Sequence, residues 1–203
     1  MIRLFLALLI LSTPLLAQPD DINDRIRFAL EAQAELDSSY ANADESPLEK
    51  DDFEHFDGHP YFPIDTTWMV WAEVILTPDS VPFEMATTTS RKPVYRQYAI
   101  LRFTHGDTTL DLAVYQSQRL MTKEGYEDYL FLPFGDMTNG FKSYGGGRYL
   151  DLRIPEGDSI YIDFNRSYNP YCAYSGRYSC PKVPLRNILP VSITAGVQAP
   201  KGH

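Results

Sequence analysis

The sequence is poor in basic residues and lacks the motifs of several common enzyme classes. Its 203 residues include 18 lysines and arginines against 27 aspartates and glutamates, which gives a formal net charge of −9. Because like charges repel, nucleic acid and anionic membranes are poor partners for such a chain. The sequence contains no serine-centred nucleophile elbow, no zinc-protease helix motif and no dinucleotide-binding fingerprint. It therefore indicates no cofactor and no metal.

No apolar run is long enough to span a bilayer comfortably. The apolar run at residues 4–16 follows a short basic start and precedes a small residue, Ala17. This arrangement is typical of a secretory signal peptide, although an uncleaved anchor is the alternative. We expect removal of residues 1–17 and export to the periplasm or beyond. Residues 18–203 should then form a single globular domain without stable membrane insertion.

Cysteine is scarce, and both cysteines lie close together at Cys172 and Cys180. In an oxidising compartment such a pair favours a disulfide, which we predict here. A metal site with two sulfur ligands is a weaker alternative, because no nearby histidine pair completes four ligands. Free thiols are the third alternative.

Two helices are predicted near the start of the mature chain. Residues 20–41 place apolar side chains on one helical stripe and crowd aspartates into the first turn. A shorter helix should begin near Ser46, where Pro47 and Glu49 complete the pattern of a capping box, and should end near Phe56.

Two histidines stand four residues apart at the end of this second helix. On a continuous helix, His55 and His59 could share a metal ion. Gly58 and Pro60 interrupt the helix at this point, and so a surface turn is the preferred interpretation.

The remainder of the chain predicts an antiparallel sheet. Gly106-Asp107 separates two alternating runs and indicates a hairpin, and residues 155–158 suggest a second hairpin. The resulting fold class is α+β, mainly antiparallel β in a barrel-like or sandwich arrangement, with one or two N-terminal helices. Strands are predicted at residues 66–76, 83–89, 94–104, 108–116, 129–134, 148–154, 159–164 and 188–195.

A run of glycines followed by an arginine is the first candidate site. Consecutive glycine amides can form a concave anion-binding turn, and a guanidinium can bind a carboxylate or phosphate through two parallel hydrogen bonds. The alternative is a tight turn whose arginine pairs with a structural carboxylate. The predicted ligand-binding residues are Tyr144, Gly145, Gly146, Gly147 and Arg148.

Polar residues at the end of a predicted strand form the second candidate site. Asp163 and, in an earlier turn, Asp136 are candidate catalytic carboxylates that could act as general bases. Asn165 and Tyr168 are candidate ligand-binding neighbours. Loop anchoring is the alternative role for each carboxylate, and the abundant tyrosines suit a sheet core as well as ligand stacking.

Several motifs together resemble a known family. These are PYFPID at 60–65, FLPFGDMTNG at 131–140, SYGGGRYLD at 143–151 and DFNRSYNPYCAY at 163–174. They resemble the bacterial family catalogued as domain of unknown function 1684, over about residues 25–197. That resemblance implies one domain of this length but no reaction, because the family has no assigned activity.

Two functions from different classes fit these features. The first is an exported protein that binds, and in the catalytic case hydrolyses, a small polar or anionic ligand without a bound cofactor. Its pocket would combine the glycine turn, Arg148, Asp163 and Asn165. The alternative is a non-catalytic envelope or interaction module in which the same motifs are structural.

Overall fold

The computed structural model describes residues 21–200, so the predicted signal peptide lies outside the described residues. Helix α1 spans Ile22–Ala41, and the carboxylate of Asp21 caps it by accepting the Asn23 N–H at 3.0 Å. This helix confirms the first prediction, although the predicted apolar stripe is only partly buried: Ile22 and Leu30 are exposed. Within the described residues, no helix combines the length and apolarity needed to cross a membrane.

Helix α2, Lys50–Glu54, is shorter than predicted. The capping box does not form, because the Glu49 carboxylate accepts a hydrogen bond from the Ser175 hydroxyl instead. Glu49 also lies 3.4 Å from Arg177, and so it ties the start of this helix to the C-terminal loops.

Within residues 21–200, seven strands form one antiparallel sheet that curls into a half-barrel. The predicted fold class is thus confirmed. The strands are β1 Met69–Leu76, β2 Phe83–Glu84, β3 Val94–His105, β4 Thr108–Ser117, β5 Tyr129–Phe134, β6 Arg148–Arg153 and β7 Ser159–Asp163. The order across the sheet is β6-β5-β4-β3-β1-β7, and β2 pairs with β3. The β3–β4 hairpin turns at Gly106-Asp107, as predicted, and Gly106 has the positive φ of +57° that such a turn requires.

The predicted hairpin between β6 and β7 is wrong, because these strands lie on opposite edges of the sheet. Strand β6 pairs with β5, and β7 pairs with β1. A flat sheet of six strands would separate its edges by about 24 Å. The five-residue link between β6 and β7 reaches at most about 22 Å. Curling of the sheet brings the two edges together and relieves this mismatch.

A pair of backbone hydrogen bonds joins the two edges. Tyr149 on β6 and Tyr168, just after β7, each donate an N–H to the other's carbonyl, at 2.9 and 3.1 Å. The segment that leaves β7 therefore returns to β6 and continues the curl of the sheet.

The predicted strands at residues 83–89 and 188–195 do not form as predicted. Only Phe83–Glu84 forms a ladder in the first, followed by one bridge from Thr87 to Pro181. The second contains a bend at residues 190–191, packs against the main core and makes a single bridge, from Ile188 to Gly135. Its alternation reflects burial of Leu189, Ile193 and Ala195 in the main core. Side chains rather than a strand satisfy several of its backbone groups, as described below.

Each face of the sheet carries a buried cluster of side chains. One face, with Leu112 and Val114 of β4, packs against the C-terminal segment in the main core. The opposite face is aromatic and includes Tyr115, Phe131 and Tyr149. Alternate side chains of each strand supply the two faces, as a period of two requires.

Candidate functional site

The glycine turn before β6 is a tightly packed structural turn. Gly147 has φ +87°, and a Cβ at this position would lie 2.4 Å from the Val183 side chain and 2.6 Å from the Phe134 carbonyl oxygen. Only glycine fits this combination of conformation and close approach. The turn thereby delivers Arg148 into the protein interior at the first position of β6.

Arg148 is fully buried and paired, which corresponds to the alternative interpretation of this motif. Its guanidinium donates to Asp136 Oδ2 at 2.8 Å. It also donates to the carbonyl oxygens of Ile193, Ala195 and Val197 in the extended C-terminal segment. Burial lowers the pKa of Arg148, while the Asp136 carboxylate opposes that shift. In this conformation Arg148 cannot contact a ligand.

Asp136 is equally committed to the interior. Its Oδ1 accepts the backbone N–H groups of Thr138 at 2.8 Å and Ile193 at 3.2 Å, while Oδ2 accepts from Arg148. Its side chain has no exposed surface. The predicted catalytic role for Asp136 is therefore incompatible with this geometry, and the loop-anchoring alternative describes the observed contacts.

A cavity of about 570 Å³ lies between α1 and the aromatic face of the sheet. We call it the α1 cavity. Side chains of α1 form one wall, both edges of the curled sheet form the others, and loops near Pro181 close one end. Seven tyrosines line it, namely Tyr61, Tyr95, Tyr129, Tyr149, Tyr161, Tyr168 and Tyr171.

Asp151 is a carboxylate in this cavity that sequence reasoning missed. Its Oδ1 accepts the hydroxyl protons of Tyr129 at 2.7 Å and Tyr168 at 2.8 Å. Burial, reinforced by the Asp151 charge, raises the pKa of both tyrosines, and so they remain protonated donors. The alternation of β6 does place Asp151 on the face of Tyr149, but no local signal indicates that this face borders a cavity.

Asp163 is the second cavity carboxylate and is nearly buried. Its Oδ1 accepts two hydrogen bonds from Asn165, from the backbone N–H at 3.0 Å and from Nδ2 at 2.8 Å. Burial raises the pKa of Asp163, and the bonds from Asn165 partly oppose that shift. No cation within the described range forms an ion pair with it. This environment suits a carboxyl group that exchanges a proton.

Asn165 is fully buried and connects segments that border the cavity. Its side chain accepts the Asp65 N–H at 2.8 Å and donates to the Asp65 carbonyl at 3.0 Å. Its own carbonyl accepts from Gln33 of α1 at 2.9 Å. These contacts occupy the groups that were predicted to bind a ligand, and they make Asn165 a clamp between α1 and the sheet.

A second cavity of about 320 Å³ lies beside the glycine turn. We call it the glycine-turn cavity. It is lined by Tyr144, Gly145, Gly146 and Gly147, together with Cys172. Tyr149, Pro170 and Pro181 border both cavities. The predicted site residues are therefore divided: Asp163, Asn165 and Tyr168 face the α1 cavity, whereas the glycine turn faces the smaller one.

The two cysteines are neighbours, and both are free thiols in the structure. The backbone N–H of Cys172 donates to Sγ of Cys180 at 3.2 Å. The disulfide stays a prediction, which the proximity of the two residues supports. No group of three or more metal-ligating side chains occurs among the described residues.

The prediction of a surface turn is wrong for His59. Its side chain is buried, and Nδ1 lies 2.5 Å from Asp37 Oδ1 of α1. Burial lowers the pKa of His59, and the Asp37 carboxylate opposes the shift. Two of the tyrosines that pack against this ring, Tyr40 and Tyr174, come from distant segments, so the local sequence gives little sign of its burial.

Together the fold and the site define an α+β half-barrel that encloses a tyrosine-lined cavity beneath its N-terminal helix. The family described as "Protein of unknown function (DUF1684)" matches residues 54–198, and the chain belongs to this family. Helix α1 lies outside the matched range.

A solved structure of similar architecture comes from Haloarcula marismortui. The NMR structure of this uncharacterised protein has a TM-score of 0.69 and 32% sequence identity, and the match covers 89% of this chain and 98% of that one. None of the curated proteins compared with the chain matches it.

Proposed function

We propose that this protein binds a small polar ligand that carries hydroxyl groups in the α1 cavity. The observation that carries the proposal is a cavity of about 570 Å³ lined by seven tyrosines and by three carboxylates, Glu35, Asp151 and Asp163. This volume falls within the usual range for small-molecule sites of about 300–1,000 Å³. Tyrosine rings provide stacking surface, and tyrosine hydroxyls with carboxylates provide hydrogen bonds that orient the ligand.

The charges of the cavity favour a neutral ligand over an anionic one. Its charged lining residues are Glu35, Asp151, Asp163 and Arg166. The guanidinium that suggested an anion, Arg148, is paired with Asp136 and faces away from this cavity. A polyol or sugar-like compound fits both the charge and the aromatic walls.

In the hydrolytic version of this function, Asp163 is the residue that would exchange a proton with the substrate. Its burial raises its pKa, which favours a protonated carboxyl group at a higher pH than for an exposed aspartate. Asp151 differs from it, because two tyrosine hydroxyls donate to its Oδ1 and fix its orientation. Two carboxylates in different environments are suited to different roles.

Filling the cavity from α1 tests the proposal without removing a polar contact. Ala32 lines the cavity, whereas Ala34 on the same helix is exposed and does not. Ala32→Trp should abolish the saturation-transfer NMR signals that a panel of sugars and polyols gives with the wild type. Ala34→Trp is the matched control and should retain them. Equal binding by both variants, or no binding by the wild type, would refute the proposal.

The second candidate function is a non-catalytic interaction module. It is supported by the pairing of Arg148 with Asp136 and with three backbone carbonyls, which gives the glycine–arginine motif a structural role. A wild-type protein that binds no member of the panel would favour this candidate.

We further propose that the protein is exported after cleavage behind Ala17. The support is the basic start, apolar run and small residue at residues 1–17. The mass of the protein recovered from the producing cells tests this directly, because cleavage leaves residues 18–203.

A further inference from the structure

We propose that Cys172 and Cys180 form a reactive dithiol in which Cys172 attacks a small disulfide and Cys180 resolves the adduct. This inference does not depend on a ligand in the α1 cavity. It differs from a structural disulfide, because a structural bond needs no accessible attacking sulfur.

The first support is the arrangement of the two sulfurs. Cys172 is the second residue of a short helical turn, Tyr171–Ala173. Its backbone N–H donates to Sγ of Cys180 at 3.2 Å. This N–H shows that the two cysteines are in contact, and it stabilises negative charge on the Cys180 sulfur when that sulfur attacks in the resolving step. The N–H of Cys180 donates to the Thr88 hydroxyl at 3.1 Å, which fixes the loop that carries the second sulfur.

The second support is a difference in access. Cys180 borders the α1 cavity but is only 7% exposed, whereas Cys172 is more exposed and lines the glycine-turn cavity. The three glycines carry no side chains, and they leave this cavity with about 320 Å³. A small reagent can therefore reach Cys172 before it reaches Cys180, which assigns the attacking and resolving roles.

The electrostatic surroundings agree with this assignment. Hydrogen bonding from the Cys180 thiol lowers the pKa of Cys172 to about 7, with further support from the hydroxyls of Tyr144 and Thr88, although desolvation opposes it. The pKa of Cys180 is raised, first by its bond with Cys172 and then by burial. The titratable groups that face the pair from neighbouring segments are Tyr40, Arg91, Tyr144, Tyr149, Tyr171 and Lys182.

The reaction is a two-step exchange with a disulfide of formula RS–SR. The Cys172 thiolate attacks one sulfur, a Cys172–SR bond forms, and RS⁻ leaves. Cys180 then loses its proton to solvent and attacks the Cys172 sulfur, which releases the second RS⁻. The protein loses two electrons as its disulfide forms, and RS–SR gains them as two thiols.

The probe is 4,4′-dithiodipyridine, a small neutral disulfide whose thione product absorbs light. The reduced native wild type should release two equivalents of thione and finish 2 Da lighter, without a retained adduct. Cys180→Ser should release one equivalent and keep the adduct on Cys172. Cys172→Ser should react slowly, because its remaining thiol is buried.

The rate at which Cys172 reacts with the probe also tests its contact with Cys180. Without Cys180, the pKa of Cys172 should move toward the ordinary value of about 8.5. At pH 7 this lowers the thiolate fraction about 16-fold, while the greater nucleophilicity of a more basic thiolate offsets part of the loss. Cys180→Ala should therefore react about three- to fourfold more slowly than the first phase of the wild type, because alanine, unlike serine, donates no hydrogen bond to the Cys172 sulfur.

Three outcomes would overturn the proposal. They are thiols that react only after denaturation, a Cys172→Ser variant as fast as the wild type, and a wild type that retains two adducts. Circular dichroism of each variant identifies loss of fold, and Cys180→Ser tests the attacking role of Cys172 even where Cys172→Ser does not fold.

Discussion

Removal of the Arg148 guanidinium should be among the most damaging single changes in this chain. Arg148→Met keeps much of the side-chain volume but leaves the Asp136 carboxylate buried without its cation. It also removes the donor that serves the carbonyls of Ile193, Ala195 and Val197. These carbonyls belong to the C-terminal segment that covers the main core.

The expected loss follows from the burial of both partners. Breaking one side of a buried ion pair costs about 3–5 kcal/mol, because the remaining charge is uncompensated. The unsatisfied carbonyls add to this cost where water cannot reach them. We expect Arg148→Met to lower the free energy of unfolding by about 4 kcal/mol or more. For a domain of this size that corresponds to a fall in Tm of about 8–16 °C.

Urea denaturation at pH 7, followed by circular dichroism, measures the effect. The matched control is Arg102→Met, which breaks an ion pair of the same type with Asp111 on the exposed surface of the sheet. Exposed pairs contribute little, and the urea midpoint of this control should stay nearly unchanged. The double variant Arg148→Met/Asp136→Leu should recover part of the loss, because no buried charge remains.

An Arg148→Met variant as stable as the Arg102→Met control would refute this reasoning. It would mean that the guanidinium does not hold the C-terminal segment, and it would return Arg148 to the candidates for ligand binding.

Two further predictions concern the glycine turn and the cavity carboxylate. Gly147→Ala should cost about 2 kcal/mol or more in urea denaturation, because its Cβ meets the Phe134 carbonyl at a φ of +87°. Gly145→Ala, whose Cβ would lie at an ordinary contact distance of 3.8 Å from Gly140, should stay within about 0.5 kcal/mol, and equal effects of the two would contradict the packing argument. Asp163 has a raised pKa in the folded state, so wild-type stability is lost as pH rises from its ordinary value of 3.8 through the folded pKa. The stability of Asp163→Asn relative to the wild type should therefore increase with pH across this window, and urea midpoints that show a constant or falling difference would contradict the shift.

The sequence predicts the local elements well because their signals are local. The apolar periodicity and aspartate-rich start of α1, and the turn residues of the β3–β4 hairpin, each lie within the element that they specify. The pairing of β6 and β7 was misassigned because adjacent strands with a turn-like link usually form a hairpin. Here the curl of the whole sheet determines which strands pair, and no residue near the link between β6 and β7 indicates that curl.

The candidate site was predicted in part for the same reason. Asp163 and Tyr168 do face the α1 cavity, but their neighbours Asp151 and Tyr129 come from β6 and β5 on the opposite side of the sheet. The extended segment at residues 188–195 shows the limit of periodicity. An alternating pattern indicates that one side of a segment is buried, which does not require a β-sheet. In this segment, Arg148 and Asp136 form hydrogen bonds with backbone groups that a neighbouring strand would otherwise pair.

Strand β6 explains why the glycine–arginine motif and the cavity occur together. Its first residue, Arg148, points into the interior and fastens the C-terminal segment, whereas Tyr149 and Asp151 alternate to the opposite face and border the α1 cavity. The glycine turn sets the position of the whole strand, because Gly147 packs directly against Phe134 of β5. A change at the turn should therefore alter both the fastening of the C-terminal segment and the placement of Asp151. The glycine–arginine motif thus positions the strand that borders the cavity, and the contacts of its arginine are structural rather than ligand contacts.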